Sequence, residues 1–292
     1  MDKPRRVERM FSRIVGHYDL MNTLMSGGRD RTWRRLAVQM AEPREAVALD
    51  VGTGTAELAL ELLRQGACTV VGLDFSQEML LAARAKSEHR LDRKLDTAEA
   101  RRTPRLEPYE GGRYSLSPLV IDDRDRQRDG EDAGVTGGHP FPPLLKPNVG
   151  VHRGSQVPQF LAGDALNLPF AEGTFDIVIS GFVVRNLADI KRGFQEMCRV
   201  LRPGGRLICL EITHPKPGIF ASLFQVYFYR LVPLLGGVVA RDLDAYRYLP
   251  NSLTHFPPAE GLARIMEEAG LRDVSYRLLF PGAVAIHRGR RA

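Results

Sequence analysis

Two short apolar runs, Ala46-Val47-Ala48-Leu49-Asp50-Val51 and Thr69-Val70-Val71-Gly72-Leu73-Asp74, each carry an aspartate at or beside their end and lead straight into a helical pattern. The first helix is predicted over residues 55–64. The second opens at Ser76, an N-cap with Glu78 in the first turn. The alternation resumes with strands at Gln159-Phe160-Leu161 and Phe175-Asp176-Ile177-Val178-Ile179-Ser180. A helix over 189–201, stopped by Pro203-Gly204-Gly205, and a strand over Arg206-Leu207-Ile208-Cys209-Leu210-Glu211 follow. Strands that are apolar without a break are covered on both faces, and strands separated by helices build βαβ units. The pattern predicts an α/β chain with a mostly parallel sheet flanked by helices.

Ser87 to Val157 reads differently. Its seven prolines, eight glycines and runs such as Asp122-Asp123-Arg124-Asp125-Arg126-Gln127-Arg128-Asp129 show no sustained period of 2 or 3.6. Such a segment buries too little apolar surface to offset its chain entropy, and most of it, about 91–156, is read as a flexible insertion. What remains suits one domain, so residues 1–292 form a single interrupted unit. Cys68, Cys198 and Cys209 are odd in number and lack any C-x-x-C spacing, which argues against a disulfide scaffold or a zinc site and for a reducing cytoplasm. No secretory signal is expected at the N-terminus. The most apolar window, Ile219 to Ala240, contains Arg230, Pro233 and Gly236-Gly237 and is not read as a membrane span.

In a parallel α/β sheet, ligands sit beyond the carboxyl ends of the strands. The first strand ends in Asp50-Val51-Gly52-Thr53-Gly54-Thr55-Ala56-Glu57. Gly52 and Gly54 permit a tight turn, but the third glycine of a dinucleotide fingerprint would fall on Glu57, and an acid at a helix N-terminus repels a pyrophosphate. Asp74, about twenty residues after the turn, is placed to accept both hydroxyls of a ribose. Asp50 suits a cationic amino-acid group, through water or backbone. Gly163-Asp164-Ala165-Leu166-Asn167-Leu168-Pro169-Phe170 adds an acid among apolar neighbours, fit for an adenine ring and its amine. A ribose, a positive amine and no phosphate describe S-adenosylmethionine. Each acid alone reads equally well as a turn or helix cap; three at successive strand ends favour a ligand.

At this point the chain resembles the quinone C-methyltransferases of the class I S-adenosylmethionine-dependent fold, the UbiE/MenG-type enzymes of demethylmenaquinone and ubiquinone-pathway methylation. The stretches that carry the likeness are Asp50–Leu58, Val71–Leu80, Gly163–Phe170, Arg185-Asn186-Leu187 and Val200–Gly205. The most specific are Met10–Val15 with Tyr18-Asp19-Leu20-Met21-Asn22, and Tyr246-Arg247-Tyr248-Leu249-Pro250-Asn251-Ser252 with Phe256-Pro257. The resemblance implies a Rossmann-like, mostly parallel seven-stranded sheet with N-terminal helices and a helical segment covering the substrate. It implies cofactor binding by Thr55, Asp74, Asp164 and Ala165 with backbone from Gly52 and Gly54; Asp50, Thr53, Phe75 and Gly181 complete the candidate set. Ala56 stands where many members have a third glycine, and Gly181 where some have a serine that touches the cofactor.

The methyl group of a sulfonium is already activated, so the protein must supply a nucleophile, alignment and a dry site, and no metal. A quinol carbon becomes nucleophilic when the neighbouring hydroxyl loses its proton. Arg185, after the fourth strand, is a candidate to hold that oxygen or position a water, and Asn186 to donate to it; the resemblance implicates this pair and Tyr18 in the step. The expected reaction is C-methylation of a polyprenylated quinol, demethylmenaquinol in menaquinone biosynthesis. A benzoquinol of the ubiquinone pathway or another lipidic acceptor is the alternative. Phe220, Phe224, Tyr227, Phe228 and Tyr229 are expected to wall the prenyl tail.

The formal charge of +6 sits at the chain ends: nine basic against four acidic residues in 1–35, three against none in 286–292. Basic ends suit contact with an anionic membrane from the cytoplasmic side, at about 1 kcal/mol per Lys or Arg near the surface. A nucleic-acid-binding methyltransferase or a non-catalytic binder is the competing class. The arginines of 87–157 alternate with aspartates that a phosphate backbone would repel, so no nucleic-acid partner is expected. A homodimer remains open.

Overall fold

The computed structural model describes residues 10, 12–102, 157–215, 217–237, 242, 248, 252–254, 256–279 and 282–292. From 103 onward the predicted insertion lies outside these residues, as does most of the Tyr246–Ser252 stretch.

A 3-10 turn at Val15–His17 leads into helices α1 (Tyr18–Ser26) and α2 (Asp30–Ala41), separated by Gly27 in a left-handed conformation. Strand β1 (Val47–Val51) leads through the glycine turn to α3 (Glu57–Arg64), and β2 (Thr69–Asp74) leads to α4 (Gln77–Arg102). Helix α4 runs through 91–102, where the insertion was expected to begin. The first helix breaker in that stretch is Pro104, so nothing local stops the helix earlier. After β3 (Gln159–Ala162) and β4 (Phe175–Gly181) comes α5 (Ile190–Val200), capped by the Asp189 carboxylate accepting from Arg192 N at 2.9 Å. Strand β5 (Leu201–Ile212) starts directly at the end of α5, five residues earlier than the sequence pattern places it.

The apolar window 219–240 forms α6 (Ile219–Val226), a π-helical turn (Tyr227–Leu231) and α7 (Val232–Leu235), in a segment described as far as 237. No helix among the described residues is long and apolar enough to cross a membrane. Helix α8 (Ala259–Glu268) and strands β6 (Leu271–Leu279) and β7 (Val284–Arg291) complete the chain.

The seven strands form one sheet in the order β3-β2-β1-β4-β5-β7-β6. The first five pair in parallel, whereas β7 runs antiparallel to both β5 and β6. The fold is the α/β architecture of class I methyltransferases. Alternate residues of β1 feed two separate cores: Val47, Leu49 and Val51 pack on one face and Ala48 on the other, which is why the run is apolar throughout. Strand order reverses between β1 and β4, so a crevice opens at their carboxyl ends, and the register sets Asp50 level with Gly72 and Ile179 there.

Candidate functional site

The turn after β1 alternates left-handed residues: Gly52 at φ 70°, Gly54 at φ 54° and Ala56 at φ 67°. A side chain on Gly52 would overlap Val183, and its N–H and that of Thr53 donate to Leu73 O at 2.7 and 2.9 Å, clamping the turn to β2. Ala56, in place of the expected third glycine, keeps the left-handed conformation and caps α3, a strain of about 1–2 kcal/mol for a residue with a Cβ.

Both strand-end acids are buried. Asp50 Oδ2 accepts from Thr53 Oγ1 at 2.8 Å and from Ala59 N at 3.1 Å, while Oδ1 has no partner among the described residues. Desolvation pushes its carboxyl up to about 7, with the Asp74 charge adding to the effect against the two hydrogen bonds. Asp74 accepts from Gly54 N at 2.8 Å on one oxygen and from Ser76 N at 3.0 Å on the other, and burial raises its pKa too. The Phe75 N–H also stabilises the charged carboxylate, and a carboxylate held this way at the end of β2 can still accept from a ribose hydroxyl. Gly163 N donates to Asp74 O at 3.0 Å, which brings the Asp164 loop to the same edge. Asp164 itself is exposed and accepts from Leu166 N at 2.9 Å, while Ala165 is buried in the core. These groups fit a ligand with a ribose and a cationic end.

Two expected members differ in role. A side chain on Gly181 would lie 2.6 Å from Leu58 Cδ1, so this residue offers a ligand only backbone. Neighbouring Ser180 is buried, its hydroxyl without a partner among the described residues. Thr55 Oγ1 donates to Asp19 Oδ1 at 2.7 Å, and Lys86 bridges Asp19 and Glu57; the threonine thereby ties the turn to α1.

Beyond the turn lies an apolar cavity of about 520 Å³, walled by α1, α2 and α6 and by the residues that follow β4. Tyr18 separates the two regions: its ring packs beside Gly54, with Cε1 3.7 Å from where a Cβ would stand, and it lines the cavity. Burial raises its phenol pKa against the opposing influence of Arg34, Asn22 and Arg185, so Tyr18 stays protonated. Phe220, Phe224, Tyr227 and Phe228 line the cavity as expected, with Phe224 and Phe228 stacked at 5.0 Å; Tyr229 is half exposed and does not.

Arg185 is 7% exposed and lines the cavity. It is ion-paired to Glu211 on β5, itself 1% exposed, yet its Nε is buried with no partner among the described residues. The residue is therefore salt-bridged with one buried donor left unpaired among the described residues. Asn186 is turned away: it is absent from the cavity wall and its Oδ1 accepts from Tyr248 O–H at 3.3 Å.

Several cavity residues had no role assigned from the sequence. Arg34, 8% exposed, is ion-paired one helical turn away to Asp30, which accepts from Ser26 Oγ at 3.1 Å. Asn22, one turn after Tyr18, leaves its amide nitrogen buried and unpartnered among the described residues. Phe182 has φ 62°, strained for a bulky residue, and its ring centroid lies 5.8 Å from the Arg34 guanidinium carbon and 5.9 Å from that of Arg185. None carries a local signal, because the α2 face and the strained turn acquire meaning only on folding.

Residues 1–102 and 149–291 match the ubiE/COQ5 methyltransferase family. A demethylmenaquinone methyltransferase of Roseiflexus castenholzii is 36% identical over 289 residues, covering 98% of this chain and 94% of that protein. The mitochondrial 2-methoxy-6-polyprenyl-1,4-benzoquinol methylase of Xenopus laevis is 30% identical, covering 99% and 85%. A solved SAM-dependent methyltransferase of Thermotoga maritima, described as a possible histamine N-methyltransferase, superposes with a TM-score of 0.56 at 16% identity, covering 97% and 99%.

Proposed function

The chain belongs to the ubiE/COQ5 methyltransferase family, and we propose that within it the acceptor is a polyprenylated demethylmenaquinol, methylated on the ring carbon beside a hydroxyl. It is an S-adenosylmethionine-dependent quinone C-methyltransferase of menaquinone or ubiquinone biosynthesis. The naphthoquinol head is favoured by the activity of the Roseiflexus relative, the benzoquinol by that of the Xenopus one. The observation that carries the site assignment is the unpartnered, buried Nε of Arg185 in the wall of an apolar cavity.

Asp74 holds the cofactor ribose, Asp50 neighbours its cationic end, Gly52 and Gly54 bring backbone close, and the Phe75 and Asp164-Ala165 segments flank the adenine. When bound, S-adenosylmethionine supplies a methyl group made electrophilic by the sulfonium charge. Arg185 holds the quinol oxygen beside the acceptor carbon. A guanidinium keeps its protons, so it acts by stabilising the phenolate and lowering the pKa of that hydroxyl. Tyr18, protonated and set between the turn and the cavity, donates a hydrogen bond and orients the ring. Glu211 fixes Arg185, and the aromatics of α6 exclude water. Asn186 supports this corner through Tyr248.

The tail has an exit. Phe220 lines the cavity and is 57% exposed, and Ile219, Leu223, Val226, Leu231 and Leu234 continue an exposed apolar stripe that also carries exposed Arg230. We assign this stripe to a lipid surface, because it continues the cavity that takes the tail. The charged ends contribute less than their count suggests: Arg34 is buried with Asp30, Arg288 pairs with Glu42 and Arg291 with Glu172. Flotation with vesicles should weaken in Leu223→Asp. A variant that floats as the parent does contradicts the assignment, and one whose oligomeric state changes instead makes the stripe a face between copies.

Purified protein incubated with S-adenosylmethionine and each reduced head group, followed by mass spectrometry, tests the acceptor. One methyl added to the naphthoquinol at the higher kcat/KM is expected; a higher value on the benzoquinol transfers the assignment to that ring.

A further inference from the structure

We propose that Arg34 is a second oxygen-binding residue of the acceptor cavity, taking the ring oxygen para to the one held by Arg185 and so setting which ring carbon faces the methyl donor. The inference rests on the quinol reading and deepens it.

Three observations converge. Arg34 and Arg185 line one cavity, and each is anchored by a buried acid, Asp30 from the same helix and Glu211 from β5. A buried ion pair costs desolvation on both partners, which makes two of them in a largely apolar wall expensive as mere fasteners. Asp30 is the hydrogen-bond partner of one Arg34 donor among the described residues, and a guanidinium has five. Finally, Phe182 is held at φ 62°, a conformation costing about 1–3 kcal/mol, with its ring within 6 Å of both guanidinium carbons. Their separation is thereby kept below about 12 Å. That ceiling admits a six-membered ring with para oxygens, hydrogen-bonded at each end over about 2.9 Å, when each guanidinium meets its oxygen at an angle to the O···O axis.

The charge state narrows the occupant. Arg34 and Arg185 are each balanced by their own carboxylate, so this pair presents hydrogen-bond donors without a net surplus of positive charge of its own, while Arg29 is a further cation of the lining. Two charge-balanced donor groups suit a neutral diol with one oxygen becoming a phenolate. An oxygen held at either end also removes the rotation that would present the wrong edge of the ring.

Trp33, the chain's one tryptophan, lines the same cavity and reports occupancy by fluorescence without turnover. Under reducing, anaerobic conditions, the titrants are a prenylated 1,4-naphthoquinol and the matching naphthol that keeps only the hydroxyl beside the acceptor carbon. The parent protein should prefer the quinol. Arg34→Met should weaken the quinol about tenfold or more, the loss of one charge-assisted hydrogen bond, and the naphthol less than about twofold, while Arg185→Met weakens both. Equal weakening of both ligands by Arg34→Met makes Arg34 a structural residue and overturns the proposal. If Arg34→Met does not fold, Arg34→Lys, which keeps the charge and loses the planar fork, makes the same comparison: a smaller selective loss supports the proposal and an equal loss overturns it. Parent protein that binds neither titrant shows instead that the quinol reading has failed.

Discussion

Arg185→Met separates the two jobs this arginine performs. With the cation gone, Glu211 is left 1% exposed and without a counter-ion, and breaking a buried pair from one side costs about 3–5 kcal/mol. Glu211 keeps two backbone donors, Ile212 N at 2.9 Å and residue 185 N at 3.3 Å, which puts the expected loss near the lower figure. Changing Glu211→Gln in the same chain removes the stranded charge, and the amide oxygen still meets one of those donors while the NH2 faces the other, so stability should return in part, to within about 1–3 kcal/mol of the parent. Turnover should not return. A charge-assisted hydrogen bond to the phenolate is worth about 1.5–3 kcal/mol, and each 1.36 kcal/mol is tenfold in rate, so both variants should turn over roughly tenfold to a hundredfold more slowly. Cofactor affinity should stay within about twofold, since the groups assigned to it lie on the turn after β1 and at the end of β2. Denaturant unfolding, single-turnover kinetics and calorimetry with S-adenosylmethionine measure the three quantities. A double variant that is folded and methylates at the parent rate would reduce Arg185 to a structural residue and refute the reasoning.

Three other expectations test the cofactor side. Asp74→Ala should weaken S-adenosylmethionine by about 1.5–3 kcal/mol in calorimetry; unchanged affinity removes the ribose assignment. Asp50, raised to about 7 from an ordinary 3.8, holds a proton in the folded state that the unfolded chain has already lost, so the stability it contributes is complete below about pH 4 and is lost as pH rises to about 7. Thermal unfolding across that window should flatten in Asp50→Asn, and a parallel fall in both proteins would assign the dependence to another group. Gly52→Ala should destabilise by more than the 1–2 kcal/mol that a left-handed alanine costs, because its methyl also overlaps Val183; a chemical-denaturation loss below about 1 kcal/mol would show that the turn is looser than described.

The strands, their order of alternation with helices and the acids at their ends were legible because each depends on a short window. Period, breakers and caps are local, and a strand-end aspartate stays at the strand end whatever packs above it. Hence Asp50 and Asp74 meet across β1 and β2 as the runs 46–51 and 69–74 suggest. The same logic explains where α4 was misjudged: the texture of 87–157 as a whole outweighed the absence of any proline or glycine before Pro104. Composition averaged over a long segment cannot locate a boundary inside it.

Charge is the quantity a short window reads least completely, for a different reason. A count of arginines near the N-terminus treats Arg34 as one more solvated cation, whereas burial, Asp30 and the Phe182 ring turn it into part of a cavity wall. At the other end, Glu42 and Glu172 take up Arg288 and Arg291 from more than a hundred residues away in sequence. Long-range partners decide whether a charge is available, and no window reveals them. The consequence is directional: membrane contact is better sought in the apolar stripe from Ile219 to Leu234, which continues the substrate cavity, than in basic ends whose charges the fold has partly consumed. Added salt separates the two, because screening weakens attraction between exposed charges and anionic headgroups while leaving apolar insertion intact. Vesicle binding that persists as ionic strength rises supports the stripe, and binding abolished by moderate salt returns the role to the charged ends.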